Sequence, residues 1–268
     1  MKRRDISTGT MKGVFCCSDD GAPRKAVILL SGSRGGFFSA RNPVILEKLV
    51  VMGYSVLDLA YFRKGRLPHT LRRIPLEYFE KALNWLSEQP EVAPGGYGVL
   101  GVSKGAELAL LLASRYKEFK AVAAVVPSHV VFQGLGLPFP PASSWTYEGK
   151  DVPFVPFAPL PWLISGTIGA FTRRFGYLYR ASLKNRDRAE KAEIPVERIN
   201  GPVLLISATK DGTWPSGMMC EKIISRLSAH DLPHHREHVA IKAPHWVWAK
   251  KKCWQSIYGF LETQFPSE

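Results

Sequence analysis

Hydrophobic positions along the chain follow two periods. Short, mostly apolar runs at 25–30, 54–59, 97–102, 121–126 and 203–208 are too short for helices and read as buried strands. A sixth strand is read at 236–241. Between these lie stretches with helical spacing, at 43–52, 75–89, 104–115 and 216–229, and a closing helix from about 246 to 265. The clearest is 75–89, where Leu76, Phe79, Leu83 and Leu86 recur at spacings of three and four and Pro75 suits a first turn. Strands alternating with amphipathic helices predict an α/β fold: a mostly parallel central sheet with helices on both faces. The pattern is lost over 132–198, a proline- and aromatic-rich insertion with basic residues in its second half. The expectation is one domain, 1–268, with 132–198 as an inserted cap. Ligands of such sheets bind at the carboxyl ends of the strands, so the loops there are where chemistry is sought.

Composition narrows the classes. The 268 residues are 46% hydrophobic and 22% charged, an ordinary globular mix that excludes disordered, collagen-like and disulfide-scaffold chains. The net charge of +13 favours anionic partners, among them nucleic acid, acidic lipid and phosphorylated small molecules, or simply keeps the protein soluble. Its basic residues are scattered in small groups such as Arg72-Arg73, Arg173-Arg174 and Lys250-Lys251-Lys252, with no run suited to a nucleic-acid groove. Cys16, Cys17, Cys220 and Cys253 form no CxxC, and neighbours on a strand point to opposite faces, so a reducing compartment, the cytoplasm, is expected. Lys2-Arg3-Arg4 is followed by polar residues rather than a signal-peptide core, and the C-terminus is not a peroxisomal address. Residues 152–172 carry no charge over 21 positions, but Pro153, Pro156, Pro159 and Pro161 break the helix a membrane span needs. An apolar cap over a binding cleft fits this stretch better, with peripheral membrane contact as the alternative.

The strand at 97–102 runs into Gly101-Val102-Ser103-Lys104-Gly105, a G-x-S-x-G elbow between an apolar strand and an apolar helix. A serine hydroxyl needs a base oriented by an acid to act as a nucleophile. Of the later aspartates, Asp151 and Asp187 lie in the insertion and Asp231 follows a helix, whereas Asp211 follows the strand at 203–208. Among the later histidines, His245 alone follows the strand at 236–241. Ser103, Asp211 and His245 are therefore the expected catalytic set, in the order serine, acid, histidine. The loop Ser31-Gly32-Ser33-Arg34-Gly35-Gly36 should supply a backbone N–H to an oxyanion, from Ser33 first and Arg34 second, with Lys104 N–H as the other donor. The Lys104 side chain need only pair with Glu107 at i, i+3. The cluster His234-His235-x-x-His238 lies on a turn into a strand and has no carboxylate-ligand pattern such as H-E-x-x-H, so neither a metal nor a cofactor is expected.

Several stretches carry a resemblance beyond the elbow. Tyr78-Phe79-Glu80-Lys81-Ala82-Leu83-Asn84-Trp85-Leu86, Leu100 through Leu108 with its S-K-G-x-E-L run, Ile194 through Pro202, and Asp211-Gly212-Thr213-Trp214 make the chain similar to the catalytic C-terminal domain of acyl-coenzyme A thioesterases and bile acid–coenzyme A:amino acid N-acyltransferases. The likeness runs from about residue 26 to the end and is weakest over 139–180. It implies an α/β-hydrolase fold and a Ser (or Cys)-Asp-His triad falling on Ser103, Asp211 and His245. Transferase members of the family carry cysteine as nucleophile, so Ser103 favours hydrolysis. Full-length members carry an N-terminal β-sandwich domain, which is expected to be absent here because about 24 residues precede the first core strand. The resulting expectation is a serine hydrolase acting on acyl thioesters through an acyl-enzyme, with a small acyl ester or acyl-CoA as partner. Alternatives are a carboxylesterase on oxygen esters, an acyl-CoA:amine acyltransferase, or a non-catalytic binding protein of the same fold.

Overall fold

The computed structural model describes every residue except 9–10, 41, 137–139, 160–174, 231 and 268. In chain order its strands are β1 (Lys2–Thr8), β2 (Met11–Cys17), β3 (Arg24–Leu30), β4 (Ser55–Ala60), β5 (Ile74–Pro75), β6 (Val92–Val102), β7 (Phe119–Val125), β8 (Trp145–Tyr147), β9 (Lys150–Asp151), β10 (Val203–Ala208) and β11 (Arg236–Ile241). Its helices are α1 (Val44–Val51), α2 (Glu77–Ser87), α3 (Lys104–Ala113), α4 (Gly176–Ser182), α5 (Arg186–Lys191), α6 (Ser216–Ser228) and α7 (Lys251–Gln264).

Strands that are apolar on both faces need cover on both, and the central sheet receives it. Its order is β1-β2-β4-β3-β6-β7-β10-β11. Everything from β4 to β11 pairs in parallel, while β1–β2 and β2–β4 are antiparallel. Side chains alternate as the pleat requires. Ala26, Ile28 and Leu30 face a core shared with α2, α3 and α6. Val27 and Leu29 face one shared with α1 and α7. Cys16 and Cys17 divide the same way, one in each core, and all four cysteines are buried free thiols.

Four readings from the sequence change. The sheet begins before residue 25, because the N-terminal segment forms the β1–β2 hairpin along its edge. Lysine and arginine on β1 suit an edge, where charge blocks further pairing, and they hid the strand from an apolar-run criterion. Pro75 belongs to β5 rather than to the first turn of α2, which starts at Glu77. The closing helix is broken: a 3-10 turn at Val247–Ala249 precedes α7, with Lys250 extended between them. The insertion is not patternless, since β8 and β9 join β5 in a small second sheet and α4 and α5 follow.

A third core, of Val130, Phe132, Val155, Tyr179 and Ala192 with Trp214 and Met219, seats the insertion against the segment after β10. Most of the uncharged stretch 152–172, together with Arg173 and Arg174, lies outside the described residues. Among the described residues no helix is long and apolar enough to cross a membrane.

Candidate active site

The elbow between β6 and α3 puts Ser103 at φ 55° and ψ −119°, a strained conformation for a residue with a side chain. Its N–H donates to Val125 O at 2.8 Å, and its carbonyl accepts from the N–H groups of Ala106 and Glu107. The two flanking glycines are steric necessities. A β-carbon at Gly101 would lie 2.1 Å from Gly105 O, and one at Gly105 would lie 2.3 Å from Leu30 O. Strand, turn and helix touch backbone to backbone here, which leaves the Ser103 hydroxyl as the group that projects.

The loops after β10 and β11 are laced together by Thr209 N–H to Ile241 O at 2.9 Å and Lys210 N–H to Ala243 O at 3.0 Å. They bring Asp211 beside His245, whose Nδ1 lies 2.8 Å from Oδ2 and 3.0 Å from Oδ1. The carboxylate also accepts from Thr213 N–H, Trp214 N–H and Ser216 Oγ, at 2.9, 3.2 and 2.7 Å. A carboxylate can only accept, so Nδ1 carries the proton and Nε2 is left as the acceptor. That Nε2 lies 3.0 Å from Ser103 Oγ. Three residues spread over 142 positions thus form one chain of hydrogen bonds, with each link drawn from a loop at the carboxyl end of a strand.

The loop after β3 packs against the elbow so tightly that a β-carbon on Gly32 would lie 3.0 Å from Val102 O and 3.3 Å from Ser103 Cβ. Ser33 and Arg34 join Ser103 and His245 in the wall of a cavity of about 530 Å³. Lys104 opens α3, where first-turn N–H groups have no helical partner. Its side chain takes no part in the cavity. It is 1% exposed and pairs with Glu107, itself fully buried, at 2.5 Å. Glu107 also accepts from Trp145 Nε1 at 3.0 Å and from Phe132 N–H at 3.4 Å. Burial pushes the Lys104 ammonium down and the Glu107 carboxyl up, and the charge of each draws the other back.

Two features escape a reading of the sequence. Asp58, fully buried in β4, accepts from Phe38 N–H and Ser39 N–H, both at 2.8 Å, and so shapes the loop beside Ser103; burial raises its carboxyl pKa. A lone acid inside the apolar run Ser-Val-Leu-Asp-Leu-Ala was the available signal. The apolar wall of the cavity comes from Phe38, Trp246, Trp248 and Trp254, and Phe175 is the insertion's contribution among the described residues. Trp254 Nε1 is fixed to Trp248 O at 2.7 Å, and its ring meets Phe38 edge-on. The histidine cluster stays on turn and strand: His238 Nε2 lies 2.8 Å from Ser207 Oγ, and His235 lies 3.5 Å from Glu237. Among the described residues no three His, Cys, Asp or Glu side chains gather as metal ligands.

Known proteins share this architecture and parts of this sequence. A family model described as BAAT / acyl-CoA thioester hydrolase C terminal matches residues 74–247. Acyl-coenzyme A thioesterase 1 of Homo sapiens is 30% identical over 230 residues, covering 86% of this chain and 50% of that protein. Acyl-coenzyme A amino acid N-acyltransferase 2 of Rattus norvegicus is 27% identical over 269 residues, covering 97% of this chain and 59% of that protein. The chain therefore spans about half the length of the curated relatives it matches. Among solved structures, a Pyrococcus furiosus esterase superposes with a TM-score of 0.66 at 18% identity, over 98% of this chain and 91% of that one. An α/β hydrolase from Penicillium sp. sh18 does so with a TM-score of 0.63 at 15% identity, over 98% of this chain and 99% of that one. The fold is that of the α/β hydrolases.

Proposed function

The chain belongs to the BAAT / acyl-CoA thioester hydrolase C-terminal family, and on that premise we propose that it is a serine hydrolase cleaving acyl thioesters of the acyl-CoA type. The observation that carries the reading is the unbroken Asp211–His245–Ser103 hydrogen-bond chain at the wall of an aromatic cavity. His245 Nε2 takes the Ser103 proton as Oγ bonds to the thioester carbonyl carbon. The N–H groups of Ser33 and Lys104 hold the resulting oxyanion, with Arg34 N–H as the second choice to Ser33. Asp211 holds the ring in place and balances the positive charge it gains. The C–S bond then breaks, the thiolate takes the proton from Nε2, and an acyl-Ser103 ester remains. Water attacks that ester with His245 again as base, releasing a carboxylic acid and free serine. In this reading 1–268 acts as one α/β-hydrolase domain and 132–198 as its cap.

The test is Ser103→Ala on purified protein. Wild type should hydrolyse acyl-CoA and bind a fluorophosphonate probe covalently. The variant should lose labelling and at least about 10³-fold in turnover, since removing one triad member removes nearly all that the unit contributes. Unlabelled, inactive wild type across a panel of thioesters and oxygen esters would reject a hydrolase and favour a binding protein. The match to the rat N-acyltransferase over 97% of this chain supports a second reading, acyl transfer to an amine. Product analysis with amino acids as acceptors separates N-acyl product from free acid.

A further inference from the structure

Three indoles surround the His245 ring. The ring centroids of Trp214, Trp246 and Trp248 lie 6.0, 5.6 and 5.8 Å from that of the imidazole. All three planes stand nearly perpendicular to it, at 80°, 83° and 81°, the arrangement in which one ring's edge meets another's face. Two of the indoles come from the His245-Trp246-Val247-Trp248 run and the third from the loop that carries Asp211. In the proposed reaction the imidazole holds positive charge only while the proton is in transit. Aromatic faces attract a cation within about 6 Å, which is the spacing found here.

Trp214 is the member that separates positioning from substrate contact. It is 1% exposed and takes no part in the cavity wall. Its backbone N–H donates to Asp211 Oδ1, and its indole N–H donates to Val126 O at 3.1 Å. Val126 is a β-branched residue at φ 46°, an unfavourable state that this bond and its own N–H to Ile206 O hold in place. The residue before it, Val125, accepts the N–H of Ser103. The Trp214 ring also meets Tyr179 of the insertion at 5.3 Å and 78°. One residue therefore touches the base, holds the acid and ties both to the strand end that anchors the serine.

We propose that Trp214, with Trp246 and Trp248, is a positioning device that fixes the plane of the His245 ring and stabilises the cation it becomes. This rests on the serine-hydrolase reading above. The experiment compares Trp214→Phe with Trp214→Leu in the full chain, reading kcat, KM, the rate of fluorophosphonate labelling and the melting temperature. Phenylalanine keeps an aromatic ring, whereas leucine keeps only apolar bulk. The leucine variant should lose about tenfold or more in kcat and labelling rate with KM within about twofold, and the phenylalanine variant should fall between it and wild type. Equal kcat in the two variants, or a change confined to KM or melting temperature, overturns the proposal. If Trp214→Leu does not fold, Trp214→Tyr against Trp214→Met makes the same comparison at the same position outside the cavity wall, with the aromatic variant expected to keep the higher kcat at similar KM and equality overturning it. Ser103→Ala measured alongside keeps the two readings apart. A variant that still turns over sinks the serine mechanism, whereas a dead Ser103→Ala with equal tryptophan variants sinks only the cage.

Discussion

At position 103 the backbone adopts a conformation that costs on the order of 1–3 kcal/mol, and the close approach of Gly101, Gly105 and Leu30 is what maintains it. Gly105→Ala would place a methyl 2.3 Å from Leu30 O and 2.4 Å from Ser31 O, both backbone atoms in a packed core that cannot swing aside. The expected outcome is loss of soluble protein or destabilisation by more than about 3 kcal/mol in urea unfolding. Gly259, inside α7, is the contrasting case: a β-carbon there would meet nothing within 4 Å, and Gly259→Ala should stabilise by up to about 1 kcal/mol. Ser103, Asp211 and His245 were legible because each follows a strand, and chain order plus strand ends is information a sequence holds. Asp58 was not, because its partners are backbone N–H groups brought together by folding. Trp248 was hidden for a related reason: on one continuous helix over 246–265 it would share a face with Lys252 and Gln255, whereas it sits in the 3-10 turn before the break at Lys250 and lines the cavity.

The strands and helices of the central layers were readable because each buries a face against a sheet, and burial imposes a period. The edge strand β1 and the two- and three-residue strands of the small second sheet impose none, being either a charged edge or too short to repeat. What joins the insertion to α3 is chemical rather than periodic. Lys104 and Glu107 meet Phe132 and Trp145 in a buried polar knot. Removing one partner leaves a buried charge alone, so Glu107→Leu should cost about 3–5 kcal/mol, while Lys104→Met combined with Glu107→Leu should recover much of that. A double-mutant cycle in urea measures the coupling, and additive single effects would refute it. His129, at the base of the insertion, gives that region a pH dependence. Burial, helped by the charge of Lys222, lowers its pKa from 6.5 to about 3, and its Nδ1 has no partner among the described residues. Between those two values the unfolded chain binds a proton that the folded chain does not. The contribution to stability is therefore complete above pH 6.5 and lost as pH falls toward 3, on the order of a few kcal/mol in all. Urea midpoints at pH 7 and pH 4.5 should diverge less in His129→Leu than in wild type.

At the scale of the whole molecule the net charge of +13 is the property that site geometry leaves unexplained. Charge of one sign destabilises a compact chain through self-repulsion, so an excess this large suggests a use beyond solubility. An acyl-CoA substrate would bring phosphate groups on its leaving half, and a positive surface would draw them in before any contact forms. The cavity wall itself contains a single cationic side chain among the described residues, Arg34, so attraction of this kind has to come from the surrounding field. Such a field reaches about 30 Å at 0.01 M salt and about 10 Å at 0.1 M. Raising ionic strength from about 10 to about 200 mM should therefore lower kcat/KM for an acyl-CoA several-fold while leaving that for an uncharged p-nitrophenyl ester of the same acyl length nearly level. The paired substrates share the acyl pocket and the serine chemistry, so the difference between their slopes isolates the leaving group. Parallel slopes would mean that the positive charge serves solubility alone and that the leaving group is recognised, if at all, by contacts rather than by field.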